Sequence, residues 1–328
     1  MSVATVVVTY NRKDKLRRCL DAVIRQKGST IPDIIIVDNN STDGTGDMVR
    51  AYSQTAGIEL TDDASDIAGS RRIVYLRLLY NSGGAGGFTY GIRKAVEAGY
   101  DYVWLMDDDC VPADDALEEF MKYDRAHHGE YGFLSSRVLW KDGSLCEMNV
   151  QRETVFRDIS VGKLFDGSDP AEVSMASFVS LLIPSDVVYD VGLPIREFFM
   201  WTDDWEYTRR ISLKYRCMVI PSSIAVHCCD ANTGAYILLA DETRIDRFRY
   251  LYRNDVYLYR REGLMGYCYE AARLTVHIAK VLVAERSLAD KRSMINTILK
   301  GTAEGLMFFP CIGRAMPATF ENNGDKVR

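Results

Sequence analysis

The sequence predicts an α/β protein in which a mostly parallel, twisted sheet is wrapped by helices and followed by a helical C-terminal region. Strand-like and helix-like segments alternate four times in the first 125 residues, which is the pattern of a parallel sheet covered by helices. The strand-like segments are continuous apolar runs, as expected for strands buried on both faces. Residues 241 to about 309 have helical spacing with one break at Glu262-Gly263.

The elements are assigned in chain order. Val3–Thr9 and Asp33–Asp38 are β-branched or aliphatic runs, and both predict buried strands. Apolar residues recur at helical spacing over 13–26, which predicts an amphipathic helix. Further helices are predicted at 41–52, 88–98 and 203–215, and further strands at 72–78, 101–106, 131–139, 176–184, 217–220 and 224–227. The polar segment 54–71 is predicted to be a surface insertion.

Composition and charge limit the classes of function. The chain has 328 residues, is 47% hydrophobic and 26% charged, and carries a net charge of −6, so it resembles an ordinary globular protein and nucleic acid is excluded as the main partner. The charge is uneven, because residues 241–328 carry a net charge of +4. A basic C-terminal region fits either an anionic lipid surface or a contact between copies of the chain, and both options stay open.

The cysteines and the first residues predict a compartment. Eight scattered cysteines without a C-x-x-C pair fit neither a disulfide scaffold nor a metal finger. The chain enters its first strand directly, without a charged and then apolar leader. A cytoplasmic protein is therefore expected.

Three adjacent carboxylates, Asp107, Asp108 and Asp109, follow the fourth predicted strand. Such a triplet repels itself unless a counter-charge is present, and Mg²⁺ or Mn²⁺ bridging phosphate oxygens supplies one. Ligands of open α/β sheets bind at the carboxyl ends of the strands. The triplet is therefore interpreted as a metal–diphosphate site, with a solvated acidic turn at a helix start as the alternative.

Polar residues follow the first two strands and the third. Arg12 suits a phosphate, and Asp38 suits ribose hydroxyls or a base N–H group. Ser41 and Asp43 are more simply helix caps. The segment 81–87 has four glycines and precedes a helix, which would let backbone N–H groups approach phosphate oxygens; a tight loop without a ligand is the alternative.

A second acidic cluster follows an aromatic run at 198–206. Asp203 and Asp204 lie behind large apolar residues, so a partly desolvated carboxylate could act as a general base. The alternative is a capping box between Asp203 and Glu206 at a helix start. His227 ends a short apolar segment, where a structural histidine is the simpler interpretation.

Taken together, these motifs resemble the inverting family 2 glycosyltransferases of the GT-A fold. The motifs Thr9-Tyr10-Asn11-Arg12, 37–43, 81–87, 106–109 and 201–206 occur in the family's order, over about residues 3–230. Among family members, the glycine-rich loop, the triple Asp and the later acidic pair are most similar to galactofuranosyltransferases, and next to rhamnosyltransferases. The resemblance implies a GT-A catalytic domain at 1–235, with a nucleotide-binding half at 1–112 and an acceptor half at 113–235, and a helical region at 236–328.

The resemblance also assigns roles to residues. Asp204 would be the catalytic base, and Asp107, Asp109 and His227 would hold Mn²⁺ or Mg²⁺. The donor would contact Thr9, Asn11, Arg12, Asp38, Asn40, Asn81, Gly83, Gly84, Gly86, Gly87 and Asp108. The acceptor would contact Trp201, Asp203, Trp205 and Glu206. Thr202 stands where galactofuranosyl enzymes often have an aromatic residue, which leaves acceptor choice open.

The implied reaction moves galactofuranose from UDP-galactofuranose to a hydroxyl of a glycan or lipid-linked glycan in cell-surface polysaccharide synthesis. dTDP-rhamnose is the alternative donor. A sugar-nucleotide pyrophosphorylase is disfavoured because residues 11–15 contain no glycine, and a non-catalytic binding protein is disfavoured by the acidic pair at 203–204. Arginines and aromatics at 247–253 and 257–261 suit the inner face of the cytoplasmic membrane, where a lipid-linked acceptor would lie, or packing of the helices on the sheet.

Overall fold

A computed structural model describes residues 1–62, 71–165 and 169–316. The predicted insertion at 54–71 and the end of the helical region at 236–328 lie partly outside the described residues. The strands are β1 (Val3–Thr9), β2 (Asp33–Asp38), β3 (Glu59–Thr61), β4 (Arg72–Arg77), β5 (Tyr102–Asp107), β6 (Cys110–Pro112), β7 (Leu134–Trp140), β8 (Arg152–Thr154), β9 (Arg157–Asp158), β10 (Ala171–Glu172), β11 (Leu181–Pro184) and β12 (Met218–His227). The helices are α1 (Lys13–Ile24), α2 (Thr45–Ala56), α3 (Gly83–Glu97), α4 (Ala116–His127), α5 (Val161–Phe165), α6 (Ser185–Val191), α7 (Asp203–Ser212), α8 (Phe248–Arg260), α9 (Gly263–Val283) and α10 (Leu288–Leu306).

One large mixed sheet organises the molecule. Its strand order is β10-β12-β7-β11-β5-β1-β2-β4-β3, and β6 pairs with β12. The strands β5, β1, β2, β4 and β3 run parallel to one another. The strand β11 lies between β5 and β7 and runs antiparallel to both. The predicted fold class, a mostly parallel sheet wrapped by helices with a helical C-terminal region, is confirmed.

Alternating side chains of the buried strands fill two separate cores. In β1, Val6 and Val8 belong to the core on one face of the sheet, while Val3 and Val7 belong to the core on the other. This explains the unbroken apolar runs, since both faces of each central strand are covered.

The glycine-rich segment differs from the expected loop, because α3 already begins at Gly83. A Cβ at Gly87 would lie 2.5 Å from Val8 Cγ1, and one at Gly91 would lie 2.4 Å from Val6 Cγ1. The glycines therefore let the helix lie close against β1, and this packing outweighs the low intrinsic helix propensity of glycine.

Three other boundaries also differ. The predicted strand 176–184 is reduced to Leu181–Pro184, because Ser180 has a φ of 56°. The segments 217–220 and 224–227 form one strand, β12, whose register shifts between Ile220 and Ile224. The helical region has a second break, and Ser287 caps α10 by accepting a hydrogen bond from the Asp290 N–H at 3.0 Å.

The arginines and aromatics of α8 serve internal packing. Tyr252, Tyr257 and Tyr259 are all buried, and Arg260 donates to the Gly305 carbonyl at 2.9 Å. These contacts support the packing alternative, and a contact of this region with a membrane stays a prediction. Within the described ranges, every helix is either too short or too polar to cross a membrane.

Candidate active site

The parallel strands bring the predicted polar residues to one edge of the sheet. Thr9 pairs in register with Asp38, and Val8 pairs with Asp107. Thr9 Oγ1 donates to Asp108 Oδ2 at 2.8 Å. The three strand ends therefore form one polar edge, as expected at the carboxyl ends of parallel strands.

His227 joins the acidic triplet through strand pairing. It is the last residue of β12 and lies opposite Cys110 of β6. Its Nε2 lies 3.0 Å from Asp109 Oδ1, and its Nδ1 lies 2.7 Å from Asn149 Oδ1. Burial acts to lower the pKa of His227, but hydrogen bonds with Asp109 and neighbouring thiols raise it to about 12. These hydrogen bonds favour the protonated imidazole beside Asp109.

Two basic side chains also approach the triplet. Arg12 Nη1 lies 3.3 Å from Asp108 Oδ1 and 3.4 Å from Asp109 Oδ2, and Lys15 Nζ lies 3.2 Å from Asp109 Oδ2. Burial acts to raise the pKa of Asp109, but His227, Arg12 and Lys15 outweigh it and hold that pKa below its ordinary value. For Asp108, burial dominates over Arg12 and raises the pKa to about 7.

The donor set fits a divalent cation. Asp107, Asp109 and His227 each offer one ligand atom, and these atoms lie within 4.8 Å of one another. Two carboxylates and an imidazole suit Mn²⁺, which accepts oxygen and nitrogen ligands, better than Mg²⁺, which prefers oxygen. In the described structure Asp109 pairs with Arg12, Lys15 and His227.

Asn149 fixes the orientation of the His227 ring. Its Nδ2 donates to Ser177 Oγ at 2.8 Å, so its Oδ1 faces His227. An N–H at Nδ1 then leaves Nε2 directed at the carboxylates, and a metal-bound histidine usually donates its other ring N–H to an oxygen in this way. Cys146 and Cys229 lie on the Nδ1 side of the same ring. Their spacing in the sequence gave no sign of this.

The second acidic cluster starts α7. Asp203 and Asp204 are its first two residues, preceded by Thr202 with a φ of 66°. Burial and the charge of Asp107 together raise the pKa of Asp204 to about 7, although a hydrogen bond from the Trp205 N–H acts to lower it. Burial, together with the charge of Asp204, also raises the pKa of Asp203. Asp204 therefore has the proton affinity of a general base.

Glu206 has a different environment from the expected acceptor site. Its carboxylate accepts two hydrogen bonds from Arg210, at 3.0 and 2.8 Å, and both side chains are buried. The alternative capping box with Asp203 is also wrong, since no side chain caps α7. Removing one partner of such a buried pair typically costs about 3–5 kcal/mol, so the structure gives Glu206 a structural environment.

One cavity of about 700 Å³ joins the two acidic clusters. Asp107, Asp109 and His227 line it, and so do Asp203 and Asp204. The predicted residues that line it are Arg12, Gly84, Asp107, Asp109, Trp201, Asp203, Asp204, Trp205 and His227. The two clusters therefore converge on a single cleft, as the proposed transfer reaction requires.

The other predicted donor residues lie beside this cavity. Thr9, Asn11, Asp38, Asn40, Asn81, Gly83, Gly86, Gly87 and Asp108 are outside its lining in the described part of the chain. Asn11 and Asn81 are exposed at the same sheet edge. Asp38 is 1% exposed, and its oxygens already accept from the Ser41 N–H and the Tyr75 hydroxyl. Its contact with a donor stays a prediction.

The sequence missed several residues of the cleft. Arg152, Asp255, Tyr259 and Arg273 also line it. Arg152 lies over the Trp205 ring, 4.9 Å from the centroid, and donates to Tyr259 Oη at 3.1 Å. Helices α8 and α9 therefore contribute directly to the cleft. The division of the chain into a catalytic domain at 1–235 and a helical region at 236–328 stays a prediction.

We expect Gly83→Ala to lower the free energy of unfolding by about 2–4 kcal/mol. Gly83 has a φ of +73°, and a Cβ there would lie 2.0 Å from the Phe199 carbonyl oxygen. Gly84→Ala is the matched control, because a Cβ at Gly84 meets nothing within 4 Å. Urea denaturation measures the free energy of unfolding of both variants. Equal values would contradict the close contact between α3 and the backbone at Phe199.

Three kinds of comparison place the chain among known proteins. The model of the family "Glycosyl transferase family 2" matches residues 4–145. Galactofuranosyltransferase GlfT1 of Mycolicibacterium smegmatis is 30% identical over 279 residues, which cover 80% of this chain and 84% of that relative. GlfT1 of Mycobacterium tuberculosis is 44% identical over 110 residues, which cover 33% of this chain and 30% of that relative.

Among solved structures, S. aureus TarS 1–349 superposes with a TM-score of 0.52 at 15% identity, over 92% of this chain and 71% of that one. GalNAc-T7 with UDP, GalNAc and Mn²⁺ has a TM-score of 0.54 at 12% identity, over 81% and 52%. These structures support the fold alone, which is GT-A. With the sequence match over most of its length, the chain belongs to glycosyltransferase family 2.

Proposed function

We propose that this enzyme is a metal-dependent, inverting galactofuranosyltransferase. Its donor is UDP-galactofuranose, and its acceptor is a hydroxyl of a glycan or lipid-linked glycan in cell-surface polysaccharide synthesis. The observation that carries the proposal is the single cleft that both Asp204 and the group Asp107, Asp109 and His227 line. The 30% identity to GlfT1 over most of both chains supports the choice of sugar.

The residues divide the chemistry between the two sides of the cleft. Asp107, Asp109 and His227 would hold a divalent cation, which supplies positive charge against the diphosphate leaving group. Arg12, half exposed beside the triplet, is free to turn towards a phosphate oxygen once its carboxylate partners have another counter-charge. This arrangement stabilises the charge that develops as the donor bond breaks.

Asp204 acts on the acceptor side. Its carboxylate takes the proton of the acceptor hydroxyl as that oxygen forms a bond to the anomeric carbon, and the bond from that carbon to the diphosphate breaks. Because the hydroxyl attacks from the face opposite the leaving group, a single displacement inverts the anomeric centre. Trp201 and Trp205, both half-buried beside the base, limit the access of water that would hydrolyse the donor.

A donor screen tests the proposal. The protein is incubated with Mn²⁺, a galactofuranose-terminated acceptor and, in turn, UDP-galactofuranose, UDP-galactopyranose and dTDP-rhamnose. We expect transfer from UDP-galactofuranose. Transfer from dTDP-rhamnose alone would replace the sugar, and exchange of label into a nucleoside triphosphate without transfer would indicate a pyrophosphorylase.

We place the reaction in the cytoplasm, at the inner face of the cytoplasmic membrane. All eight cysteines are free thiols, which suits a reducing compartment. A lipid-linked acceptor would present its glycan at that membrane surface. Whether the chain contacts lipid itself or another copy is the remaining choice, and co-sedimentation with anionic vesicles compared with light scattering separates the two.

We expect kcat to rise with pH up to about 7 and then to level off, because Asp204 accepts a proton only when it is ionised. Burial and the charge of Asp107 raise its pKa to about 7. A cation bound at Asp107 removes part of this repulsion, so the limb measured with saturating Mn²⁺ should lie at or below that value. A kcat that falls as pH rises through this range would contradict a carboxylate base.

A further inference from the structure

The loop that precedes the acidic pair has an unusual backbone. Phe199, Trp201 and Thr202 have φ values of 65°, 62° and 66°, and none of them is a glycine. L-residues with side chains avoid the left-handed region, so such a conformation persists only where the surroundings over-determine it. Since Asp203 and Asp204 follow directly, the path of this loop decides where the two carboxylates point.

Asn254 of α8 binds the loop from the C-terminal side. This side chain is 0% exposed. Its Nδ2, which carries two hydrogens, lies within hydrogen-bond distance of three carbonyl oxygens, those of Phe198 at 3.0 Å, Met200 at 3.0 Å and Trp201 at 2.9 Å. The amide therefore supplies its two N–H groups to a cluster of three loop carbonyls, of which the Phe198 carbonyl also accepts from the Met200 N–H at 2.7 Å.

Asp255 binds the end of the same loop. Its Oδ1 accepts from Thr202 Oγ1 at 2.6 Å, and its Oδ2 lies 2.6 Å from Arg273 Nη2 of α9. Thr202 is the residue immediately before α7. The first turn of α7, which carries Asp203 and Asp204, is thereby connected to both α8 and α9.

The opposite side of the loop rests on the nucleotide-binding half. The Ala85 N–H donates to the Phe199 carbonyl at 3.2 Å, and Gly83 leaves room for that carbonyl. Aromatic contacts add to the C-terminal side, where Trp201 and Phe248 have ring centroids 4.9 Å apart. The loop is therefore held between α3 and α8.

We propose that Asn254 and Asp255 are positioning residues that hold loop 198–202 in its left-handed conformation and so direct Asp203 and Asp204 into the cleft. The inference rests on the proposed function in one respect, the role of Asp204 as the base. It makes α8 a working part of the active site, although α8 lies in the sequence beyond the segment that carries the glycosyltransferase motifs. Neither residue touches the reacting atoms.

The test compares Asn254→Ala with Val256→Ala in the full chain. Val256 lies on the same helix but packs against α10, so closely that a side chain added at Gly305 would lie 2.7 Å from Val256 Cβ. Its substitution therefore loosens the helical region without touching the loop. We expect Asn254→Ala to lower kcat by about 100-fold with the Kd for UDP in the presence of Mn²⁺ changed less than twofold. Val256→Ala should lower Tm and keep kcat.

The pH dependence separates positioning from general destabilisation. If the loop relaxes in Asn254→Ala, the carboxylate of Asp204 leaves the environment shared with Asp203, Asp107, Arg152 and Glu206, and the acidic limb of kcat shifts. Loss of stability alone would leave the limb in place. Asp255→Asn, which keeps the size of the side chain, gives the same readouts should Asn254→Ala not fold.

Equal kcat values for Asn254→Ala, Asp255→Asn and the unmodified enzyme would overturn the inference, as would equal losses of kcat and UDP affinity. Asp204→Asn is measured alongside. If Asp204→Asn is inactive while Asn254→Ala is fully active, only the positioning role fails. If Asp204→Asn still transfers sugar, the assignment of the base fails. A loss of kcat in Asn254→Ala then still supports a positioning role for the loop, and an unchanged kcat overturns it.

Discussion

Replacing Asp204 with Asn is expected to lower the rate of sugar transfer by about 1,000-fold and to leave nucleotide binding unchanged. The amide keeps the size of the side chain but cannot take the proton of the acceptor hydroxyl, and general-base catalysis typically contributes 100- to 10,000-fold. Asp204 lines the same cleft as Asp107, Asp109 and His227 but is not one of the three side chains that could share a cation. Removing its charge therefore leaves the groups that would hold the cation and the diphosphate intact.

Single-turnover transfer and calorimetry of UDP with Mn²⁺ measure the two effects separately. Asp158→Asn is the matched control, because Asp158 also lines the cleft but its carboxylate is 65% exposed and pairs with Arg152. We expect this variant to keep most of its transfer activity. An equal loss of transfer and UDP affinity in Asp204→Asn would make Asp204 a structural residue, and full activity would remove it from the mechanism.

The site could be predicted where a local rule applies. Asp107 ends a buried strand, and the carboxyl ends of adjacent parallel strands lie side by side, so its place beside Thr9 and Asp38 follows from the strand pattern alone. The convergence of Asp204 on this edge does not follow from any local pattern. It came from the resemblance to family 2 enzymes, and the cleft in the structure agrees with it.

Two kinds of contact differ in how far the sequence indicates them. Glu206 lies four residues before Arg210, a spacing at which side chains of opposite charge meet on one helix face, so its buried ion pair could have been anticipated. Asn149 and Asn254 offered no such signal. Asn254 contacts residues more than 50 positions earlier in the chain, and a polar residue in a helical pattern is more simply read as solvent-exposed.

The glycine-rich segment shows how tertiary packing changes a local preference. Glycine disfavours a helix interior, so the helix was expected to start at Phe88. In the structure Gly83, Gly87 and Gly91 allow α3 to approach both loop 198–202 and β1. A side chain at any of the three positions would collide with neighbouring atoms. A direct contact with phosphate stays a prediction for Gly83, Gly84, Gly86 and Gly87.

Replacing Asp107 with Asn is expected to weaken the binding of UDP in the presence of Mn²⁺ by about 100-fold, or about 2.7 kcal/mol. Asp107 is one of three side chains whose ligand atoms lie within 4.8 Å of one another, and a neutral amide is a poorer ligand for a hard cation than a carboxylate. UDP binding in EDTA should be unchanged, since it depends on the protein groups that contact the nucleotide directly.

Titration calorimetry with and without Mn²⁺ makes this distinction, and Asp114→Asn is the control. Asp114 lies seven residues after Asp107 in the sequence, just beyond β6. Its carboxylate is on the surface, where it pairs with Arg25 and Lys27. Its substitution should change neither titration. Equal loss with and without Mn²⁺ would point to a folding defect, because loss of a metal ligand alone cannot weaken binding in EDTA. Unchanged affinity in Mn²⁺ would remove Asp107 from the cation site, and the leaving-group charge would then have to be balanced by Arg12 and Lys15.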